Sequence, residues 1–291
     1  MKKRTLIIVF SLLNLAVLSA QDDLLALLSN DEPTTDFATA AFKTNRVINL
    51  HSIESTAGGV LDIKISHRFG FVNGGFSELF GLDQASIRIG ADYGITKRFT
   101  VGFGRSSYEK TYDGFLKYKV LRQSSGAKVM PVTASLLAST AIKTIPWANP
   151  DRENYTSSRM YYTFQLMVGR KFSNNFSLQL SPTLVHRNLV RTKSESNDVL
   201  ALGAAVRQKI TKRVAINAEY VYVLPDQLAD GYRNSLSIGF DIETGGHVFQ
   251  LHFTNSTSMI EKGYVTETIG DWRNGGVHFG FNVSRVFTLK K

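Results

Sequence analysis

From Val60 onward, apolar residues recur at every second position in segment after segment, which in an extended chain places them on one face and polar residues on the other. Leu61, Ile63 and Ile65 alternate with Asp62, Lys64 and Ser66, and Ile87, Ile89, Ala91 and Tyr93 alternate with Arg88, Gly90 and Asp92. Met160, Tyr162, Phe164, Leu166 and Val168 face away from Tyr161, Thr163, Gln165 and Gly169. The last clear run sets Val277, Phe279, Phe281 and Val283 opposite His278, Gly280, Asn282 and Ser284. A period of two sustained over most of the chain makes it an all-β protein.

A soluble sandwich alternates as well, so the lengths of the connections decide. Strands are expected near 60–69, 85–94, 99–107, 113–123, 128–143, 159–172, 175–190, 198–210, 213–224, 234–243, 247–255 and 276–289. The connections at 95–98, 124–127, 173–174, 211–212 and 244–246 are short, whereas those at 71–84, 144–158, 225–233 and 256–275 are long. One end is tight and the other looped. That asymmetry fits a single antiparallel transmembrane β-barrel of about 12 strands, with short periplasmic turns and long external loops. Tyr93, Phe99, Phe172 and Phe176 flank tight turns, where an aromatic girdle belongs.

The N-terminus agrees. Lys2, Lys3 and Arg4 precede a largely apolar stretch that ends at Ser19 and Ala20, too short to span a bilayer, and we read residues 1–20 as a signal peptide cleaved near Ala20. Residues 21–36, acidic and aperiodic, read as a flexible periplasmic lead-in, and 57–291 as the barrel, in the outer membrane. Between them, 37–56 carries Phe37, Phe42, Val47, Ile48, Leu50 and Ile53, too many apolar residues for a free tail, and another strand would make the total odd. It reads as a plug or as a docking element for another protein. As a plug it is expected to pack on inward glycines such as Gly90 and Gly102, with Arg46, His51 and Glu54 meeting lumen charges.

The runs His67-Arg68-Phe69-Gly70, Phe80-Gly81-Leu82-Asp83, Asp92-Tyr93-Gly94-Ile95-Thr96 and Ile242 to Leu251 resemble a domain-of-unknown-function family of Bacteroidota outer-membrane β-barrel proteins. The likeness covers roughly 37–289. It implies the barrel and its location, and carries no activity.

The formal net charge of +10 does not mark a nucleic-acid protein, because the basic residues form no helix face or aromatic-interleaved patch. Many ring the tight end: Lys97, Arg98, Arg122, Lys128, Arg170, Lys171, Lys209, Lys212, Arg213, Lys290 and Lys291. There they reach outer-membrane lipid phosphates or serve a periplasmic or outer-membrane protein partner. The inward set contains Asp62, Lys64, Arg68, Arg88, Asp92, Lys117, Lys119, Arg207, Glu219, Asp241, Glu243, His252 and His278 as lumen-lining candidates. Its mixed signs point to mutual neutralisation rather than to ion selection.

Chemistry-bearing motifs are sparse, and the chain is read as a non-enzyme without cofactor. Gly102-Phe103-Gly104 lacks a third glycine and opens no helix, so it is no nucleotide fingerprint, and no Gly-x-Ser-x-Gly elbow occurs. His186 falls on the outward face near the looped end, where a lipid-acting enzyme would need it, without an evident serine partner. His252 and His278 share the inward set, and a hairpin centred near Val265 would bring them opposite one another, but no third ligand completes a metal site. Two readings stand: a narrow channel for small solutes, and a structural or partner-docking barrel with a filled lumen. An open water column would favour the first and a packed interior the second.

Overall fold

A computed structural model describes residues 34–290. The signal segment, most of the acidic lead-in and Lys291 of the basic rim lie outside the described residues. Two compact units result. The small one pairs strand β1 (Thr35–Phe37) antiparallel with β6 (Ser124–Gly126), Thr35 opposite Gly126.

The large unit is a closed barrel of twelve strands: β2 (Val60–Phe71), β3 (Ala85–Gly94), β4 (Phe99–Ser106), β5 (Tyr112–Leu121), β7 (Thr133–Ile142), β8 (Met160–Lys171), β9 (Phe176–Arg187), β10 (Asp198–Lys209), β11 (Val214–Val223), β12 (Ser235–Thr244), β13 (His247–Thr254) and β14 (His278–Thr288). Each pairs antiparallel with its neighbours, and β14 pairs with β2 to close the ring. Closure leaves no unpaired sheet edge, the condition under which β-structure is stable in hydrocarbon. The strand expected from residue 128 begins only at Thr133; Pro131 has no N–H to give the ladder, and residues 124–126 pair with β1 instead. The segment 37–56 adds no strand to the barrel.

The period of two has the consequence it demands. Phe103, Ile89, Phe164, Leu116 and Leu136, each at least half exposed, lie on the outside, and between them along the strands lie buried Ser, Thr, Gln, Asn and charged residues. Aromatic rings collect near both ends of the outer wall. Near the loops Phe253, Phe279 and Phe69 follow one another with centroids 5.5 and 5.7 Å apart, and at a tight turn Phe172 and Phe176 lie 5.8 Å apart.

The core sits inside the barrel. Phe42, Val47, Leu50 and Ile53, from the segment before β2, form one apolar cluster with inward Phe115, Leu137, Met167, Val185, Val199 and Val221. Tyr264 and Val265 join it from helix α1 (Glu261–Thr266), which lies in the β13–β14 connection and is buried along its whole length. Fully aperiodic in sequence, that connection turns inward instead of extending from the barrel.

Arginine at Phe164, mid-strand on the outer wall, should lower barrel stability by about 2–4 kcal/mol, while leucine there costs under about 1.5 kcal/mol. Denaturant unfolding in lipid vesicles measures both; equal effects would mean that this face does not meet hydrocarbon.

Candidate functional site

Residues 41–53 are almost all buried, and their backbone bonds to side chains projecting from β5, β7, β9, β11, β13 and β14. The chain folds on itself first: the N–H of Val47 bonds to the carbonyl of Leu50 (2.7 Å) and that of Ser52 to the carbonyl of Asn45 (2.9 Å). This exposes three consecutive N–H groups at the tip. The Glu219 carboxylate on β11 accepts all three, from Ile48 (3.1 Å), Asn49 (2.8 Å) and Leu50 (3.0 Å). Opposite, Gln179 on β9 accepts from the Ile53 N–H (2.7 Å) and donates to the His51 carbonyl (2.7 Å). Gln250 on β13 donates to the Val47 carbonyl (2.6 Å) and Asn282 on β14 to that of Ile48 (3.2 Å).

Lys117 on β5 lies within 3.4 Å of the carbonyls of Asn45 and Ser52. Backbone groups that would otherwise be orphaned at the centre of the barrel are thus satisfied by the wall, strand by strand.

Among the expected lumen-lining residues, Arg68, Asp92, Lys117, Lys119, Glu219 and Glu243 contact this inner segment. Arg68 Nη2 donates to Asn49 Oδ1 (2.7 Å), Asp92 accepts from Asn45 (3.2 Å), Lys119 lies 3.8 Å from Glu54, and Glu243 takes Lys43 at 2.7 Å. Lys119 and Glu243 are half-buried and the other four buried. Arg88 is held instead by Asp113, Nε to Oδ1 at 2.9 Å, Asp62 by Ser284, and Asp241 by Gln250 (2.8 Å), while Arg207 bonds to Glu243 at 3.3 Å. Lys64 is buried without a hydrogen-bond partner among the described residues.

Two expectations need correction. Gly90 and Gly102 do not seat the inner segment. A Cβ at Gly90 would meet the Arg88 guanidinium (2.6 Å), and one at Gly102 would meet the Phe115 ring, so neighbouring wall residues use that space. The seats are Gly169, where a Cβ would lie 2.8 Å from Ile53 Cδ1, and Gly203, where it would lie 3.1 Å from Leu50 Cδ2. Nor does the β13–β14 register set His252 against His278: His252 pairs with Gly280, and His278 with Thr254. The His278 ring meets the Phe69 carbonyl (2.8 Å) and Thr257 (2.9 Å), and no metal-holding cluster of three ligands occurs among the described residues.

The sequence hid the second half of the site. Glu261 at the start of α1 is buried, and its Oε1 receives Arg46 Nη1 at 2.9 Å and lies 3.1 Å from His51 Nε2. The next residue, Lys262, reaches the other way: Nζ contacts Glu109 at 2.6 Å and also Glu267, while Lys143 bridges the same two carboxylates at 2.6 and 3.3 Å. Two lysines and two glutamates thus close a ring among the loops. Burial opposes ionisation of Glu109, yet Lys262 and Lys143 outweigh it and hold its carboxyl below the ordinary 4.5; burial pushes the Lys262 ammonium down to about 8.

On the outer wall near the loops, His186 Nδ1 lies 2.7 Å from Asp198 Oδ1 and the ring stacks on Tyr162; no hydroxyl nucleophile bonds to it among the described residues.

The profile of the family described as a membrane bound beta barrel domain, DUF5777, matches residues 42–287. The chain belongs to this family. The match begins inside the inner segment, so the DUF5777 domain takes in both the wall and what lies within it. No curated protein sequence matches the chain. Among solved structures, this DUF5777 barrel is similar to the NanC porin, with 9% identity over 78% of this chain and 98% of that one and a TM-score of 0.48. The outer membrane protein Omp33 of Acinetobacter baumannii shows 10% identity over 78% and 97%, at 0.40. The COG4313 outer membrane channel from Pseudomonas putida F1 shows 13% over 80% and 96%, at 0.44.

Two outcomes are expected. Glu219→Ala leaves three buried N–H groups without an acceptor, a cost of about 2 kcal/mol or more, and should speed hydrogen exchange at Ile48, Asn49 and Leu50 at least about tenfold. The second concerns acid. Glu109 faces Lys143, Lys262, Tyr108 and Tyr161, and shares both lysines with Glu267. Its folded pKa lies below 4.5, so its contribution is complete above that pH and fades as pH falls through the folded value. Exchange in α1, corrected for intrinsic rates, should be faster below about pH 4 than at pH 7, and Glu109→Gln should reduce that acid-induced rise.

Proposed function

We propose that this DUF5777 barrel is an outer-membrane protein whose lumen is closed at rest by its own inner segment and by α1: a gated passage for small solutes rather than an open pore. The observation that carries the reading is the chemistry of the wall beneath the segment. Gln179, Glu219, Gln250, Asn282, Lys117 and Arg68 touch it with polar atoms from separate strands. A wall meant to stay covered gains by being apolar, whereas this one is ready to be wetted once the segment leaves. The barrel ladder runs through the strands alone, so departure of the segment breaks none of its hydrogen bonds. The basic, apolar N-terminus supports export, and the outward apolar belt with its aromatic ends supports outer-membrane lipid as the surrounding partner.

The packed interior also fits a structural or docking barrel that never opens, and one experiment separates the two. In planar bilayers the intact protein should give no stepwise conductance at rest, and deletion of 38–56 should produce it. Heat-modifiable migration in gels checks that the deletion variant is folded, and Glu219→Ala provides a gentler release. A folded deletion variant that stays silent would make the lumen permanently filled; conductance by the intact protein at rest would overturn the closed state itself.

A further inference from the structure

Within this closed-barrel reading, we propose that the inner segment and the β13–β14 loop form one coupled gate, with Glu261 and Lys262 as the joint, so that displacing the segment at one mouth unlocks the loops at the other.

Helix α1 is only six residues long, too short to hold itself in place by helix formation. What fixes it is a pair of adjacent side chains pointing into different charge clusters. Glu261 is tied to Arg46 and lies beside His51, both on the inner segment. Lys262 is tied to Glu109, in the β4–β5 turn, and to Glu267, and Lys143 beyond β7 completes that ring. Arg46, Glu261 and Lys262 are each under 5% exposed, and the other members of the loop ring, Glu109, Glu267 and Lys143, are part-buried. Removing Arg46 leaves Glu261 buried without its guanidinium, and removing Glu109 leaves two lysines, one of them fully buried, to share Glu267, so a loss in either cluster shifts the groups that remain.

The β4–β5 turn shows what the loop ring restrains. Glu109 and Lys110 both take left-handed backbone, φ +53° and +48°, a conformation that non-glycine residues hold only when contacts impose it. The two lysine contacts of Glu109 are such contacts. Loss of Arg46 from Glu261 therefore frees α1, moves Lys262 and lets the turn relax. By thermodynamic reciprocity, breaking the loop ring must loosen the inner segment to the same degree.

The chain has no cysteine, so Val265→Cys gives a single buried reporter on α1. Its reaction with a membrane-impermeant maleimide added at the looped side of proteoliposomes reports opening of the outer mouth. Arg46→Gln, a change in the inner segment alone, should speed labelling at least tenfold, and Arg46→Lys should restore slow labelling in large part. In the reverse direction, Glu109→Gln should speed hydrogen exchange at Ile48, Asn49 and Leu50 several-fold. Should Arg46→Gln fail to give heat-modifiable, folded protein, Glu261→Gln keeps the shape and removes the charge. Labelling unchanged in Arg46→Gln or Glu261→Gln, while exchange at 48–50 rises, would show two independent closures and overturn the coupling. Resting conductance of the intact protein would instead overturn the closed barrel, whatever the labelling rates.

Discussion

Twelve strands enclose more volume than their own inward side chains fill; about eight is the number at which a barrel packs itself. Everything inside this molecule answers that surplus. The chain supplies an inner segment before β2 and turns the β13–β14 connection inward, and the two meet wall residues in a single apolar cluster. Outside, hydrocarbon solvates the wall, so the outward face needs only apolar residues of the right period. The hydrophobic core of a soluble domain is here reduced to the contents of a tube, and the specific interactions crowd into it.

Bringing backbone into such a tube raises a problem that side-chain packing cannot solve, since each buried N–H and C=O demands a partner. The segment is neither helix nor barrel strand, so beyond the bonds it makes within itself its partners have to be side chains. Glu219 is the economical solution: one carboxylate saturates three successive N–H groups, and charge-assisted bonds are stronger than neutral ones. Gln179, as donor and acceptor, completes the facing side. Ions elsewhere in the lumen are matched locally, Arg88 with Asp113 and Arg207 with Glu243 and Asp241, which keeps a lumen of mixed charge close to neutral.

How much of this the sequence displays follows from which signals are periodic. Each strand carries its own alternation, so Asp62, Arg88, Glu219 and the other inward residues could be assigned to a face by counting from an apolar neighbour. The tight turns appear as gaps in the same count. Register across a long connection has no such signal, and the 255–277 stretch shows the cost: His252 and His278 share a face yet stand two positions apart. Glu261 and Lys262 lie in that aperiodic stretch, where nothing local distinguishes a loop that folds inward. The glycine seats differ from the expected ones for a related reason. Inward glycines mark available space, but whether Arg88 two residues along the same strand, Phe115 on the adjacent strand or Leu50 from the inner segment takes it depends on packing that the alternation does not carry.

The contents of the barrel also divide by polarity, and the division bears on whether the lumen can empty. Apolar contacts of Leu50 and Ile53 with Gly203 and Gly169 favour the segment in place, because withdrawing it would wet surface on both partners. The polar contacts act differently. Glu219, Gln179 and Lys117 exchange segment for water at small net free energy, so long as water can enter as the segment leaves. The resting state is therefore held by its apolar contacts and by the buried Arg46–Glu261 pair, for which water is a poor substitute only while α1 keeps it out. Closure at the looped end, by excluding that water, strengthens the hold on a segment that extends toward the tight-turn end.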